Sequence, residues 1–355
     1  MNVATVPAIP VAAAMPCPSS GIVVERYSAE RKPAWNRFVA EAKNATFLFD
    51  RDYMEYHGDR FVDHSLVLSR GDKVVALLPA NLANDGTVVS HQGLTYGGMV
   101  VCQDVTLVDV LQSFHALLSY LERHDVGTLV YKRIPRFYSS RPDDEIDQAL
   151  FLVDARLCRR DCAMVVNQND RLPFRKGRKS EISKARRHGV QLVEESDFRP
   201  FWNEVLTLRL ASRYGVKPVH SVDEITLLAS RFPACIRQFS AYCDGRIVAG
   251  ATVYETPTVA HVQYSGVNEE GQSVGALDLL YGWLITERYR DRRYFDFGIC
   301  NENNGRTLNL GLADWKEAFG GRSCAHDFYE VQTSSHTKLE PVLSAAQPHT
   351  GVEPD

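Results

Sequence analysis

The stretch RIVAGATVYETPTVAHVQYSGV, residues 246–267, sets two runs of β-branched and small apolar residues on either side of a Thr-Pro-Thr break. Such runs read as the strands of a hairpin: one from Arg246 to Glu255, the other VAHVQYSGV. Downstream, ALDLLYGWLITERYRDR from Ala276 spaces its apolar residues three and four apart, the period of a helix laid on a sheet. YFDFG from Tyr294 then returns as a strand. The unit is strand, strand, helix, strand.

The same order occurs earlier in the chain. GDKVVALLPANL predicts a strand from Lys73 to Leu82, the turn Asn84-Asp85-Gly86 leads into TVVSHQG, TLVDVLQSFHALLSYLERHDV follows with helical spacing, and GTLVYKRIP closes the unit. Each unit has a helical lead-in, AERKPAWNRFVAEAK from Ala29 and FRPFWNEVLTLRLASRYG from Phe198. The copies barely match residue by residue; their order matches. The expectation is an α/β (α+β) chain of two tandem domains, each a mixed, mostly antiparallel sheet flanked by helices. Domain 1 is expected over 22–160 and domain 2 over 161–334, with a basic inter-domain segment at 171–190. Residues 1–21 and 335–355 read as a disordered arm and tail.

The 355-residue chain is 45% apolar, enough for a sizeable core, and its net charge of −4 provides no global field towards nucleic acid or a membrane surface. No run approaches the ~20 apolar residues of a membrane span. The N-terminal run lacks a basic leader and is broken by prolines, so a cytoplasmic location is expected. Eight cysteines lie scattered without zinc-finger spacing, so reduced thiols and no metal are expected.

Four segments in order carry a family resemblance: NATFLFDRDYMEYH (44–57), SHQGLTYGG (90–98), KGRKSEISKARRHGV (176–190) and YFDFGICNENNGRTLNLGLADWKEAFGG (294–321). Together they resemble tandem GNAT acyltransferases, in particular the Fem-type aminoacyltransferases and their sugar N-acyltransferase relatives. The resemblance spans roughly residues 25–332. It departs from the family pattern in three places. Lys316 follows Trp315 rather than a phenylalanine, the coiled-coil insertion common in the peptidoglycan branch is missing, and the pyrophosphate loop survives only loosely as GQSVGA (271–276).

Acyl transfer to an amine needs a base to take the amine's proton, donors for the developing oxyanion and alignment of the two substrates. The resemblance implies that the second hairpin supplies the last two, its first strand splaying from its second to expose main-chain N–H groups. Gln272, Ser273, Gly275 and Ala276 would then open a helix onto a pyrophosphate, with Asn309 in the place of a GNAT helix asparagine. Alternation along YFDFG puts Asp296 opposite Phe295 and Phe297. There it reads as base or amine-orienting group, or as a buried loop cap; Glu302 is the rival base. Lys316 shares a helix face with Asn309 and Leu312 and reads as a phosphate or oxyanion partner, or as a solvated lysine. His91 has a side chain suited to proton transfer near neutral pH, with Gln92 and Tyr96 as substrate contacts beside Gly97-Gly98; the segment reads equally as a hydrogen-bonded histidine and a tight turn. Arg178 and Lys179 read as the central cations for a diphosphate or an RNA backbone, or as part of a charged inter-domain helix, and Tyr53 with Arg51 reads as lining the first half's cleft, or as a surface helix start.

The resemblance implies a coenzyme A thioester as donor and a nucleotide-linked amino sugar of bacterial surface-polysaccharide biosynthesis as acceptor. It leaves two rivals: a Fem-like aminoacyl-tRNA-dependent peptide-bond-forming transferase and a non-catalytic tandem scaffold. Nucleic acid enters only in the first of these, membrane insertion in none, and the oligomeric state stays open.

Overall fold

The computed structural model describes residues 21–345; the expected N-terminal arm, apart from Gly21, and the tail beyond 345 lie outside the described residues. The first half contributes β1 Ile22–Arg26, β2 Val62–Asp63, β3 Leu66–Arg70, β4 Lys73–Leu78, β5 Asn81–Leu82, β6 Val88–Val89, β7 Val100–Val101 and β8 Thr128–Lys132. The rest of the chain contributes β9 Arg156–Asn167, β10 Gln191–Glu195, β11 Ile236–Cys243, β12 Arg246–Glu255, β13 Val259–Val267, β14 Tyr294–Ile299, the short pair β15 Asn301–Glu302 and β16 Thr307–Leu308, and β17 Arg322–Gln332.

Eleven strands form one sheet in the order β10-β11-β12-β13-β14-β9-β17-β8-β6-β5-β2, and β1-β3-β4-β7 form a smaller one. The large sheet repeats itself outward from β9 and β17. On one side the closing strand β14 lies parallel to β13 of its hairpin; on the other β8 lies parallel to β6 of its own. The central pair is exchanged. β9 follows the first unit in sequence but pairs with the second unit's β14, while β17 follows the second unit and pairs with β8. A boundary at residue 160 falls inside β9, which pairs with β17 along most of its length.

The predicted strand from Lys73 to Leu82 is two strands. Pro79 has no N–H to give a ladder, and the Ser65 hydroxyl takes both main-chain groups of Ala80, accepting from its N at 3.2 Å and donating to its O at 3.3 Å. The chain there crosses from the small sheet into the large one. The tail expected to be disordered from 335 is instead a 3₁₀ turn, Thr333–Leu339, and a helix, Glu340–Ala345. Leu339 and Leu343, four apart, bury themselves with Phe114, Leu117 and Leu121 of the long helix Leu107–Arg123. Two leucines at helical spacing outweigh the polar composition around them.

Two further cores position the site. On one face of the sheet Phe295, Phe297 and Phe319 pack with Tyr281 of the helix Ala276–Trp283. On the other, Trp202 and Tyr254 of the second half join Trp35, Phe49, Tyr53, Tyr96 and Tyr138 of the first. At about 1.5–3 kcal/mol per fully buried large side chain, this shared cluster fixes one half against the other. Among the described residues no helix is long and apolar enough to cross a membrane.

Candidate active site

β13 and β14 pair only over Val259–His261 with Tyr294–Asp296, then part. β14 bends because Gly298 adopts φ 76°, a conformation that side chains disfavour. Lys316 holds the bend, its Nζ donating to Gly298 O and Ile299 O, each at 2.9 Å. The hairpin strands β12 and β13 stay paired from Glu255 opposite Ala260 to Ala249 opposite Val267. This corrects the expected splay: it opens between the hairpin and the closing strand, not within the hairpin, and residues 262–267 have no strand partner on their β14 side.

Two cavities meet at the split. One of about 640 Å³ lies between β13 and the helices, lined by Gln272, Asp278, Tyr281, Asn309, Trp315 and Lys316 among others. The other, about 470 Å³, lies between the halves, with Gln92, Thr95 and Lys132 on one wall and His261 and Gln263 on the other. Ser265 and Phe297 line both.

Asp296 is fully buried. Its Oδ2 is 2.7 Å from His261 Nδ1 and accepts from the Tyr138 hydroxyl at 3.1 Å, and its Oδ1 accepts from Gly298 N at 2.7 Å. Burial alone would raise its pKa; His261, His326 and the Gly298 amide outweigh burial, and the carboxyl titrates below the usual range. An ionised Asp296 accepts a hydrogen bond from His261 Nδ1–H, which fixes the tautomer with the lone pair on Nε2. His261 lines the inter-half cavity and Asp296 lines neither. Direct proton abstraction by Asp296 is thereby corrected, since both its oxygens are engaged out of a ligand's reach; it orients His261. His261 was missed, although one signal pointed to it. A closing strand parallel to the hairpin's second strand sets VAHVQ beside YFDFG, and the register puts His261 opposite Asp296.

Two buried atoms at the inter-half cavity have no hydrogen-bond partner among the described residues: His326 Nε2 and Gln263 Oε1. Burial lowers the His326 pKa. An unsatisfied buried polar group costs about 1–3 kcal/mol, which a polar ligand would relieve. Lys132, also missed, donates from Nζ to His91 O at 2.9 Å and to Leu94 O. Burial, then Arg159, bring its pKa down to about 7.

The remaining predicted residues divide. Gln92 lines the inter-half cavity and accepts from Asn81 at 2.7 Å. His91 is buried behind that wall, edge-on to Phe61, with its ring Nδ1 accepting from Gly93 N. Tyr96 and Tyr53 are core residues outside both cavities, their hydroxyls engaged with Thr46 and Tyr254, because packing of the two halves closes over them. Arg51 is buried beside them, with its guanidinium over the Tyr27 ring and bonded to Asp63. Glu302 is exposed at the end of β15, and Lys179 is exposed on the basic helix Lys176–Arg187, neither of them lining a cavity.

GQSVGA is not an open loop. It lies in a short helix, Glu269–Val274, joined through left-handed Gly275 to the helix starting at Ala276. Gln272 lines the larger cavity, Ser273 turns its hydroxyl back to Glu270 O, and a Cβ on Gly275 would lie 2.7 Å from Glu181 O. The first turn of the second helix bears Asp278, ion-paired with Arg178. Asn309 lines the same cavity and caps its own helix, Leu310–Glu317, by accepting from Leu312 N at 2.9 Å. Lys316 faces this cavity from its seat on β14; burial lowers its pKa.

Residues 174–317 match the model of the Acetyltransferase (GNAT) domain. The chain is similar in fold to the crystal structure of FemX, at 10% identity and a TM-score of 0.62, covering 91% of this chain and 99% of that one. It is also similar to L-PGS from Bacillus licheniformis, at 15% identity and a TM-score of 0.56, covering 90% and 98%. No curated protein matches the sequence. Residues 174–317 are thus similar to a GNAT acetyltransferase domain, in a chain whose fold resembles that of FemX over 91% of its length.

Proposed function

We propose that this protein is an N-acyltransferase that holds an activated acyl group in the larger cavity and an acceptor amine in the cavity between the halves. The observation that carries this reading is the place of His261: braced by Asp296, it lines the acceptor cavity where β13 and β14 part, beside the Ser265–Phe297 junction of the two cavities. An amine entering from the inter-half side loses its proton to His261 Nε2 and attacks the acyl carbonyl at the junction. Main-chain N–H groups on the open edge of β13 are the donors available to the oxyanion. Collapse releases the amide and the thiol or hydroxyl that carried the acyl group. Lys316 acts through the main chain by holding the β14 bend, and Asp296 through His261.

The donor in this proposal is an acyl-CoA and the acceptor the amino group of a nucleotide-linked amino sugar. The polar acceptor wall of Gln92, Thr95, Gln263 and His326 suits a polyhydroxylated amine. A second reading, transfer of an aminoacyl group from charged tRNA, is favoured by one observation. Asp278 puts a carboxylate in the first turn of the helix where the diphosphate of coenzyme A would need only donors. Mass spectrometry of reactions offering acyl-CoAs or charged tRNA, with UDP-linked amino sugars or peptide amines, separates the two. An acylated amino sugar formed from acyl-CoA supports the first reading, and product from charged tRNA alone supports the second. No product, with no thermal stabilisation by any donor, would leave the non-catalytic scaffold, since a ligand of the native state must raise its stability.

A further inference from the structure

The folded C-terminal segment brings a cluster of metal-ligating side chains onto the long helix of the first half. His115 and Glu122, seven apart, share one face of the helix Leu107–Arg123. His336 and Glu340, four apart, face it from the turn and helix that follow β17. His336 Nδ1 is 3.4 Å from His115 Nε2, and Glu340 Oε1 is 3.7 Å from the same nitrogen. One ligand atom from each of His115, His336 and Glu340 lies within 4.8 Å of the others. On the far side of the ring, His336 Nε2 is 2.8 Å from Glu122 Oε2.

We propose that His115, His336 and Glu340 bind a divalent transition metal, zinc in the first instance, which staples the C-terminal segment to the first half. Metal–ligand bonds of about 2.0–2.2 Å in a tetrahedron put neighbouring ligand atoms roughly 3.3–3.6 Å apart, close to the two spacings from His115 Nε2. Glu122 supplies the feature that separates a ligand set from a chance histidine pair. By accepting a hydrogen bond from His336 Nε2–H it fixes the tautomer that turns the Nδ1 lone pair towards His115, the carboxylate–histidine arrangement of metal sites. Two imidazoles and one carboxylate select zinc and its transition-metal neighbours over calcium and magnesium, which take all-oxygen shells. The three ligands are half-buried at the rim of a core sealed by Leu339 and Leu343, and none of them lines either cavity. The metal's role is structural. More than 200 residues separate the histidines in sequence, so no local spacing could announce the site.

The test is calorimetric titration of the chelator-treated full-length protein with zinc chloride, with melting curves at each stage. One equivalent should bind and raise the melting temperature, and magnesium at the same concentration should do neither. His336→Ala should abolish the binding. Glu340→Gln should weaken it sharply with no change in the circular dichroism of the apo-protein, because that side chain is nearly half exposed. Glu122→Gln should retain the site with affinity about 10- to 100-fold lower. Absence of zinc binding, or the same binding in Glu340→Gln and His336→Ala as in the parent protein, would overturn the proposal.

Discussion

The two halves share a strand order but use the gap beside the closing strand in opposite ways. In the second half β13 and β14 part beyond three paired residues and leave a cleft. In the first, β6 and β8 pair over only two residues, and the chain turns back into the gap. Ser90 knots it shut: its N donates to Val130 O at 3.0 Å and its hydroxyl accepts from Lys132 N at 2.7 Å. Gly97 lies so close that a Cβ would sit 1.6 Å from Ser90 O, and Met99 N donates to the Tyr131 hydroxyl at 2.8 Å. The filled gap then presents Gln92, Thr95 and Lys132 as the far wall of the inter-half cavity. One copy keeps the opening, and the other, by closing its own, becomes one wall of the cavity between the halves.

The strongest way to break this comparison is to disable the open half. His261→Gln should lower transfer about 10²- to 10⁴-fold, the usual range for losing a positioned base, with the melting temperature close to the parent's. Asp296→Asn should fall in the same range, and the double variant should be little worse than either single one, because the two act as a unit; additive losses would separate them. Gly97→Ala attacks the closed half. Its methyl has no space against main chain, so urea denaturation should show a loss of about 3 kcal/mol or more. A neutral result would mean the gap is not packed as described.

Lys132 gives a smaller, pH-dependent effect. Its pKa of about 7 in the fold lies below that of a free lysine. Between about pH 7 and 10 the unfolded chain therefore holds a proton that the folded one has shed, and stability gains from this residue as pH rises through that window. In Lys132→Met the gain is absent. The stability difference, parent minus variant, measured by urea unfolding at pH 7 and pH 9, should increase with pH; a flat or falling difference contradicts the assignment. The smallest effects belong to exposed residues outside both cavities. Glu302→Gln and Lys179→Ala should leave transfer unchanged and stability within about 0.5 kcal/mol.

The sequence discloses Asp296 because a charge in an otherwise apolar strand needs a reason. It discloses the second hairpin because β-branched runs around Thr-Pro-Thr have one local solution. His261 stayed hidden because its meaning depends on a strand 35 residues away, and a lone histidine in a hairpin strand reads as a core residue. Tyr53 and Tyr96 misled for the opposite reason: aromatic rings in polar segments look like ligand contacts until a second half packs over them. The exchange of β9 and β17 has no local signature either, since pairing with one closing strand or the other places the same alternation of side chains on the same two faces. The C-terminal segment reads as disordered from its polar composition, and only the long helix it packs on shows that Leu339 and Leu343 are core residues.

The central claim, that His261 removes the acceptor's proton in the open cleft, is tested most directly by single-turnover transfer at saturating donor and acceptor, comparing the parent with His261→Gln. A rate at least about 100-fold lower in a variant that melts like the parent is the predicted result. A parental rate from His261→Gln would contradict it.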